Sequence, residues 1–355
     1  MKNVFFTDFH STPRKNLFKK IEMLLNKAGI EEKIKKNDIT AVKIHFGEMG
    51  NHSFIRPVFV KKIIEYVKKI GGKPFLTDTT TLYTGSRTDA VSHIETAIKN
   101  GFAYSVVNVP IIIADGLRGN ASSSVIINKE IFKEVSIAHE IVNADAIVAL
   151  THFTGHELSG FGGAIKNIGM GCATRKGKLE QHSNVSPFVK KSKCVGCKKC
   201  IEWCRYGAIS IVDKKAQINS ELCVGCGECI LTCPENAIMI NWNETSPVFQ
   251  KKMAEYAFGV IKGKENSSLF VNFLNNITSH CDCYPMSDKT IIEDIGILAS
   301  SDPVAIDQAS IDLINKATKK DLFREIYPNI DYTYQLIHGE KIALGKRMYK
   351  IIKVE

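Results

Sequence analysis

The sequence predicts an α/β protein, a mostly parallel sheet into which a small, cysteine-dense α+β module is inserted. Three observations carry this. From residue 1 to about 185, short apolar runs alternate with stretches of helical periodicity, the pattern of strand–helix–strand units that pair in parallel. Eight of the eleven cysteines fall between positions 194 and 233. Beyond residue 241 the strand and helix pattern resumes. The expected organisation is therefore 1–185 and 242–355 as two parts of one α/β domain, with 186–241 as the insert.

Taken in order, "NVFFT", "AVKIHF", "KPFLTD", "VPIIIAD" and "AIVAL" read as strands, and 13–29, 56–70, 88–100 and 129–141 as helices. In open parallel sheets ligands sit beyond the carboxyl ends of strands. Three loops fall there: "HFGEMGNHS", "TDTTTLYTGSR", and the segment 156–182, "HELSGFGGAIKNIGMGCATRKGKLEQH", which follows "AIVAL". After the insert, 246–262 reads as a helix and "SLFVNFL" and "IGILAS" as strands. "DPVAIDQASIDLINKA" is a helix with Asp302 as N-cap and Pro303 at its first position. The terminal "GKRMYKIIKV" adds an edge strand.

The 355 residues carry 47 Lys and Arg against 37 Asp and Glu, a formal charge of +10, which suits acidic protein partners or anionic small molecules. Most basic residues lie on amphipathic stretches such as "FVKKIIEYVKKIGGK", where a solvated face accounts for them, so no nucleic-acid partner is expected. Lys190, Lys191, Lys193, Lys198 and Lys199 are the exception, crowding the approach to the first cysteine group. Runs such as "VVNVPIII" fall far short of the ~20 apolar residues of a membrane span, and "MKNVFFTDFHSTPRKN" turns polar too soon for a signal peptide. A cytoplasmic protein with no membrane contact is expected, and its clustered cysteines read as metal ligands rather than disulfides.

Cys194, Cys197, Cys200 and Cys204 follow C-x2-C-x2-C-x3-C, and Cys223, Cys226, Cys229 and Cys233 repeat it, with flanks "CRYGAISI" and "CPENAIMI" repeating too. This is the bacterial two-cluster ferredoxin pattern, in which the fourth cysteine of each run ligates the other cluster. Cys194, Cys197, Cys200 and Cys233 are expected to hold one 4Fe-4S cluster, and Cys223, Cys226, Cys229 and Cys204 the second. Gly196, Gly225 and Gly227 let the backbone approach each cube. A pair of zinc sites would need only two C-x2-C units, without the fourfold repeat. Arg205 stands where proline usually follows the fourth cysteine, as Pro234 does in the second copy.

Two clusters leave most of the chain without a role, so something else is expected to be bound. Gly160, Gly162 and Gly163 would bring backbone N–H groups close to a ligand, at a helix N-terminus suited to anions. The run matches neither the dinucleotide nor the Walker fingerprint. Lys166, Arg175, Lys178 and His182 crowd the same segment, and His152 and His156, four apart, would share one face of a helix. Lys43, His45 and Glu48 end one strand, with Lys43 and His45 on the same face. Asp78, Tyr83 and Arg87 follow another, offering a carboxylate, a phenol and an anion clamp. "HCDC" at 280–283 and Cys172 could join a further metal site, form a redox pair, or be inert buried thiols.

On "KIHFGEMGN", "DTTTLYTGSR", "IIADGL", "HFTGHELSGFGGAIKNIGMGC" and "SDPVAID", with the cysteine insert between the last two, the chain resembles the family catalogued as domain of unknown function 362, iron–sulfur proteins of anaerobic bacteria and archaea. That resemblance implies the architecture and clusters, not a reaction. Locally, His156, Lys166 and His182 are similar in order and spacing to three residues of nickel-pincer lactate racemases. That similarity implies a proton shuttle at His156, a cofactor anchor at Lys166 and a metal ligand at His182. The expected function is that of a redox enzyme. Electrons from a redox partner such as an acidic ferredoxin or flavodoxin pass through the clusters to a small-molecule substrate or second cofactor, with His45, Asp78, His156, Lys166 and His182 as catalytic candidates. Gly160, Gly162, Gly163, Arg87 and Arg175 are candidates for cofactor binding. A ferredoxin-like carrier with a docking domain, and a metal or cofactor maturation factor, are the competing readings.

Overall fold

The computed structural model describes residues 1–183 and 185–354. The chain opens with β1 (Lys2–Thr7), β2 (Ile39–Lys43), β3 (Lys73–Asp78) and β4 (Ile111–Ile113), then a hairpin of β5 (Ser122–Ile126) and β6 (Glu134–Ala138). The central strand β7 (Ala146–His152) is followed by a second hairpin, β8 (Thr154–His156) and β9 (Gly160–Gly162). The insert holds β10 (Phe188–Val189), β11 (Ile209–Val212), β12 (Lys215–Ile218) and β13 (Ile238–Met239). The chain returns through β14 (Ser268–Leu274), β15 (Gly296–Ser300) and β16 (Tyr349–Lys353).

Eight strands form one sheet in the order β16-β1-β15-β14-β7-β2-β3-β4. β15 runs antiparallel to both neighbours, and the other pairings are parallel. β7 and β14 are buried along their whole length, which is why they read as continuous apolar runs. Alternation along β7 divides its side chains between two cores. Ile147 and Ala149 pack with the helices Ala164–Gly169, Ser246–Ile261 and Pro303–Thr318, while Val148 and Leu150 pack with Leu17–Lys27 and Pro57–Lys69 on the other face. The expected N-cap is in place: Asp302 accepts from the N–H groups of Val304 and Ala305.

One expected helix is mostly absent, only 139–141 of it being helical, within His139–Asn143. Residues 134–138, inside the stretch 129–141, form β6, because Val135 and Ile137 alternate inward while Glu134 stays exposed. Gly259 in the helix Ser246–Ile261 makes room for this strand, since a Cβ there would lie 2.4 Å from Val135 Cγ2. His152 and His156 are likewise not on a helix, as they end β7 and β8 respectively.

In the insert the duplicated sequence is a duplicated backbone. Gly196 and Gly225 both have φ of 69°, and the short helices Lys199–Glu202 and Glu228–Thr232 both start from a left-handed residue, Lys198 (φ 65°) and Gly227 (φ 76°). β11 and β12 form a hairpin, and β10 pairs with β13 to join the two ends of the insert.

Candidate functional site

At the carboxyl ends of β2, β3 and β7 opens a cleft of about 700 Å³, within the range of small-molecule and cofactor sites. His45, Asp78, Arg87, His156, Lys166 and His182 all line it, together with Gly162, Gly163, Lys43 and Lys178. Cys281 and Cys283 line it too, so the "HCDC" segment meets Lys166 from more than a hundred residues along the chain.

One wall is a buried ion-pair lattice. Burial opposes ionisation of Asp78, but Lys43, whose Nζ is 3.0 Å from Oδ1, and Arg87 outweigh it and hold the carboxyl far below its usual range. Its Oδ2 has no hydrogen-bond partner. Arg87 donates to Glu48 Oε2 at 3.0 Å and to the Tyr83 hydroxyl at 2.6 Å, and Tyr83 donates in turn to the carbonyl of Cys283 at 3.1 Å. Arg87 is thus held by protein groups on both sides of its guanidinium. His93, which no sequence motif marks, sits behind Asp78, where burial keeps its imidazole neutral.

The histidines differ in state. His152 faces the Asp282 carboxylate from Nδ1 at 3.0 Å and the Asn275 carbonyl from Nε2 at 2.8 Å. Both partners only accept, so both ring nitrogens donate; burial opposes the charge but Asp282 raises the pKa. This is an anchor for the 281–283 segment. His156 is the reverse: its Nδ1 accepts from the N–H groups of Leu158 and Ser159, each at 3.2 Å. Burial, and then the Lys166 charge, lower its pKa to about 4, so at neutral pH it is uncharged, with its proton on Nε2. In that state His156 presents an Nε2–H donor. Burial, then His156 and Lys166, lower the pKa of His182 to about 3, and its ring packs against Phe249 and Trp242.

Lys166 keeps its charge: burial opposes it, but Cys281, Cys283 and Glu157 more than compensate and raise its pKa. Gly162 leaves space for this lysine, since a Cβ there would lie 3.1 Å from Lys166 Cδ. Lys178, by contrast, is lowered to about 8 by burial against the pull of Asp115 and Asp78.

The other cofactor-binding candidates are used by the protein itself. The helix N-terminus expected to hold an anionic ligand is capped by Asp307, which accepts from the N–H groups of Ala164 at 2.7 Å and Ile165 at 2.9 Å. Gly163 is a glycine because a Cβ would sit 2.4 Å from Asp307 Oδ1. Gly160 lies outside the cleft lining, at a φ of +74° at the start of β9, against Tyr332. Arg175 is also outside it, buried between Thr80, Thr88 and the insert, where a Cβ on Gly227 would be 2.8 Å from its Cγ and Cδ.

The thiols separate as well. Cys172 is packed in the core, where burial pushes its pKa up to about 12. Cys281 and Cys283, one residue apart, both line the cleft. The influence of each thiol on the other, with Lys166 and His45 acting against burial, holds Cys283 well below the ordinary thiol range and Cys281 above it.

Two further cavities lie in the insert. One is lined by Cys194, Cys197, Cys200 and Cys233, the other by Cys204, Cys223, Cys226 and Cys229, so each receives its fourth sulfur from the other repeat. Backbone N–H groups point at the sulfurs: Ala208 to Cys204 at 3.3 Å, Ala237 to Cys233 at 3.2 Å and Ala216 to Cys194 at 3.4 Å. Among the described residues no group of three or more His, Cys, Asp or Glu side chains is arranged to hold a single metal ion. The second cavity abuts the α/β domain. Leu82 and Leu179 join the apolar core of the insert, Asn120 donates to Glu228 at 2.6 Å and Thr84 donates to Asn236 at 3.2 Å. Leu82 also lines the cleft.

A family model described as "Domain of unknown function (DUF362)" matches residues 40–312. Over 54 residues the chain is 43% identical to one of the subunits of the ferredoxin:CoB-CoM heterodisulfide reductase of Methanosarcina mazei, a match that covers 14% of this chain and 7% of that relative. Among solved structures, the lactate racemase apoprotein from Thermoanaerobacterium thermosaccharolyticum is similar with a TM-score of 0.40 and 13% identity, over 89% of this chain and 58% of that one. A protein from Thermotoga maritima is similar with a TM-score of 0.42 and 11% identity, over 88% and 61%. The chain thus spans about three-fifths of these two solved chains and a small part of the curated relative. Among the described residues no helix is long and apolar enough to cross a membrane.

Proposed function

The chain belongs to the family described as domain of unknown function (DUF362), and on that premise we propose that it is an iron–sulfur redox protein serving a small-molecule site. Cys194, Cys197, Cys200 and Cys233 would hold one 4Fe-4S cluster, and Cys204, Cys223, Cys226 and Cys229 the other. The observation that carries the reading is the lining of two cavities by these two quartets, each completed across the repeat. The donor sets fit: all-thiolate quartets, N–H groups aimed at three of the sulfurs, and left-handed backbone at Gly196 and Gly225. A cube binds its thiolates on four separate irons, so it needs a wider quartet than a single zinc ion does. When bound, such clusters supply one-electron transfers.

The cleft's own groups define what it takes. Lys166 offers a retained positive charge, and His156 offers a neutral Nε2–H donor. Together they suit an anionic small molecule or cofactor, with His45 and Asp78 lining the same cleft. Lys198 and Lys199 beside the first quartet suit an acidic electron-transfer partner.

Anaerobic purification tests the reading. The expected result is about eight iron and eight sulfide per chain, falling by about half in Cys226→Ser. Lys166→Ala is expected to keep its iron while losing the cleft-bound small molecule, followed by mass spectrometry of released compounds, and losing turnover. A chain with full iron content and no small molecule in any preparation would instead be a carrier, and iron-free preparations with stoichiometric zinc would end the iron–sulfur reading.

A further inference from the structure

Cys281 and Cys283 stand in the cleft without a role in the reading above. They lie one residue apart and both line the cavity. The residue between them is fixed. Asp282 accepts from Ser53 Oγ at 3.1 Å and from His152 at 3.0 Å, and its carbonyl accepts from the Glu48 N–H at 3.0 Å. The Tyr284 N–H closes a turn onto the Cys281 carbonyl at 3.2 Å. This anchoring presents both cysteines to the cleft from one turn. Lys166 and His45 flank Cys283.

The turn is also tied to the insert. The Tyr83 hydroxyl donates to the Cys283 carbonyl, and the preceding residue, Leu82, packs in the apolar core of the insert with Cys229 and Cys200. A Cβ on Gly227, next to Cys226, would lie 3.8 Å from Leu82 Cδ1. Two consecutive residues therefore connect a cysteine quartet with the cleft thiols.

We propose that Cys281 and Cys283 form a dithiol–disulfide couple that stores two electrons in the cleft. The proposal rests on the iron–sulfur reading for its electron source. Iron–sulfur clusters would supply electrons singly, and a cysteine couple takes them up in pairs. In the reductive direction two electrons, one from each of two iron–sulfur donors that are thereby oxidised, enter the Sγ–Sγ bond and break it. Cys281 takes up one proton and leaves as the thiol, and Cys283 remains a thiolate beside Lys166. In the opposite direction the bond re-forms, the proton is released and the electron pair passes on. A disulfide across a single intervening residue closes a short ring, which places it among the strained, readily reduced disulfides rather than the structural ones.

The test uses the anaerobic holoprotein. It is oxidised with thionine or reduced with dithionite, quenched in denaturant with N-ethylmaleimide and digested with trypsin; peptide 265–289 carries these two cysteines and no other. The expected result is an unlabelled, internally linked peptide after thionine and a doubly labelled one after dithionite. Reductive titration is expected to consume about four electrons per chain, falling to about two in Cys283→Ser at equal iron content. Two labels after thionine, or equal electron uptake in both proteins, with iron and sulfide present, overturns the couple alone. Absence of iron and sulfide overturns the iron–sulfur reading and the electron source with it, and the two failures are told apart by the metal analysis.

Discussion

His156 accepts two backbone N–H groups on Nδ1, so protonating that nitrogen means breaking both bonds, and the consequence is a pH dependence with a defined sign. The group titrates near 6.5 when unfolded and at about 4 in the fold. Above 6.5 it is neutral in both states and no stability is lost. As pH falls from 6.5 to about 4 the unfolded chain binds a proton that the fold does not, and stability drops by on the order of 3 kcal/mol. Asp307, raised by burial to about 6, runs the other way over pH 6 to 4, so the His156 share is read as a difference. Urea unfolding at several pH values should show a flatter acid limb in His156→Gln than in the parent. Gly163 gives a steric prediction: its φ is −115°, which any residue adopts, yet a Cβ meets Asp307 Oδ1 at 2.4 Å. Gly163→Ala is expected to lose roughly 2–4 kcal/mol in thermal or urea unfolding. An unaffected midpoint would mean that the Asp307 cap is not held as described.

At the scale of elements, the loop after β3 does two things at once. Leu82 enters the core of the insert while Tyr83 and Arg87 brace the cleft. Leu82→Ala is expected to lower stability by about 2–4 kcal/mol and to speed proteolysis at the junction, with iron content unchanged; loss of iron instead would make Leu82 part of cluster retention. Elements whose signal is local are legible in the sequence: the strand "SLFVNFL", the Asp302–Pro303 helix start and the doubled cysteine spacing all lie within a few residues. The stretch 129–141 is not, because its charges recur at helical intervals while its decisive pattern, Val135 and Ile137 turned inward, spans only the five residues of β6. The glycines of segment 156–182 suggest a close approach, but to a ligand. The neighbours of Gly163 and Gly160, Asp307 and Tyr332, come from more than a hundred residues away, and no short window of sequence contains them. The same distance hides the meeting of Cys283 with Lys166 and His45, although each stands out in its own motif.

For the whole molecule, charge and topology set how it meets partners. Lys198 lines the first quartet's cavity and Lys199 follows it. Lys198→Glu with Lys199→Glu is expected to slow reduction by an acidic donor protein about tenfold or more at low ionic strength, and the gap should close as salt screens the field. A salt-independent defect, or none, would place the docking surface elsewhere. The β10–β13 pairing has a consequence of another kind. Phe188 faces Met239 across one ladder, so the insert leaves and re-enters its host through two points separated by about 4.8 Å, the spacing of adjacent strands. A host chain can be spliced across so small a gap with a single tight turn. Replacing residues 189–238 by such a turn is therefore expected to leave the eight-stranded sheet folded, read by circular dichroism and urea unfolding, provided that the replacement covers Leu82 and Leu179.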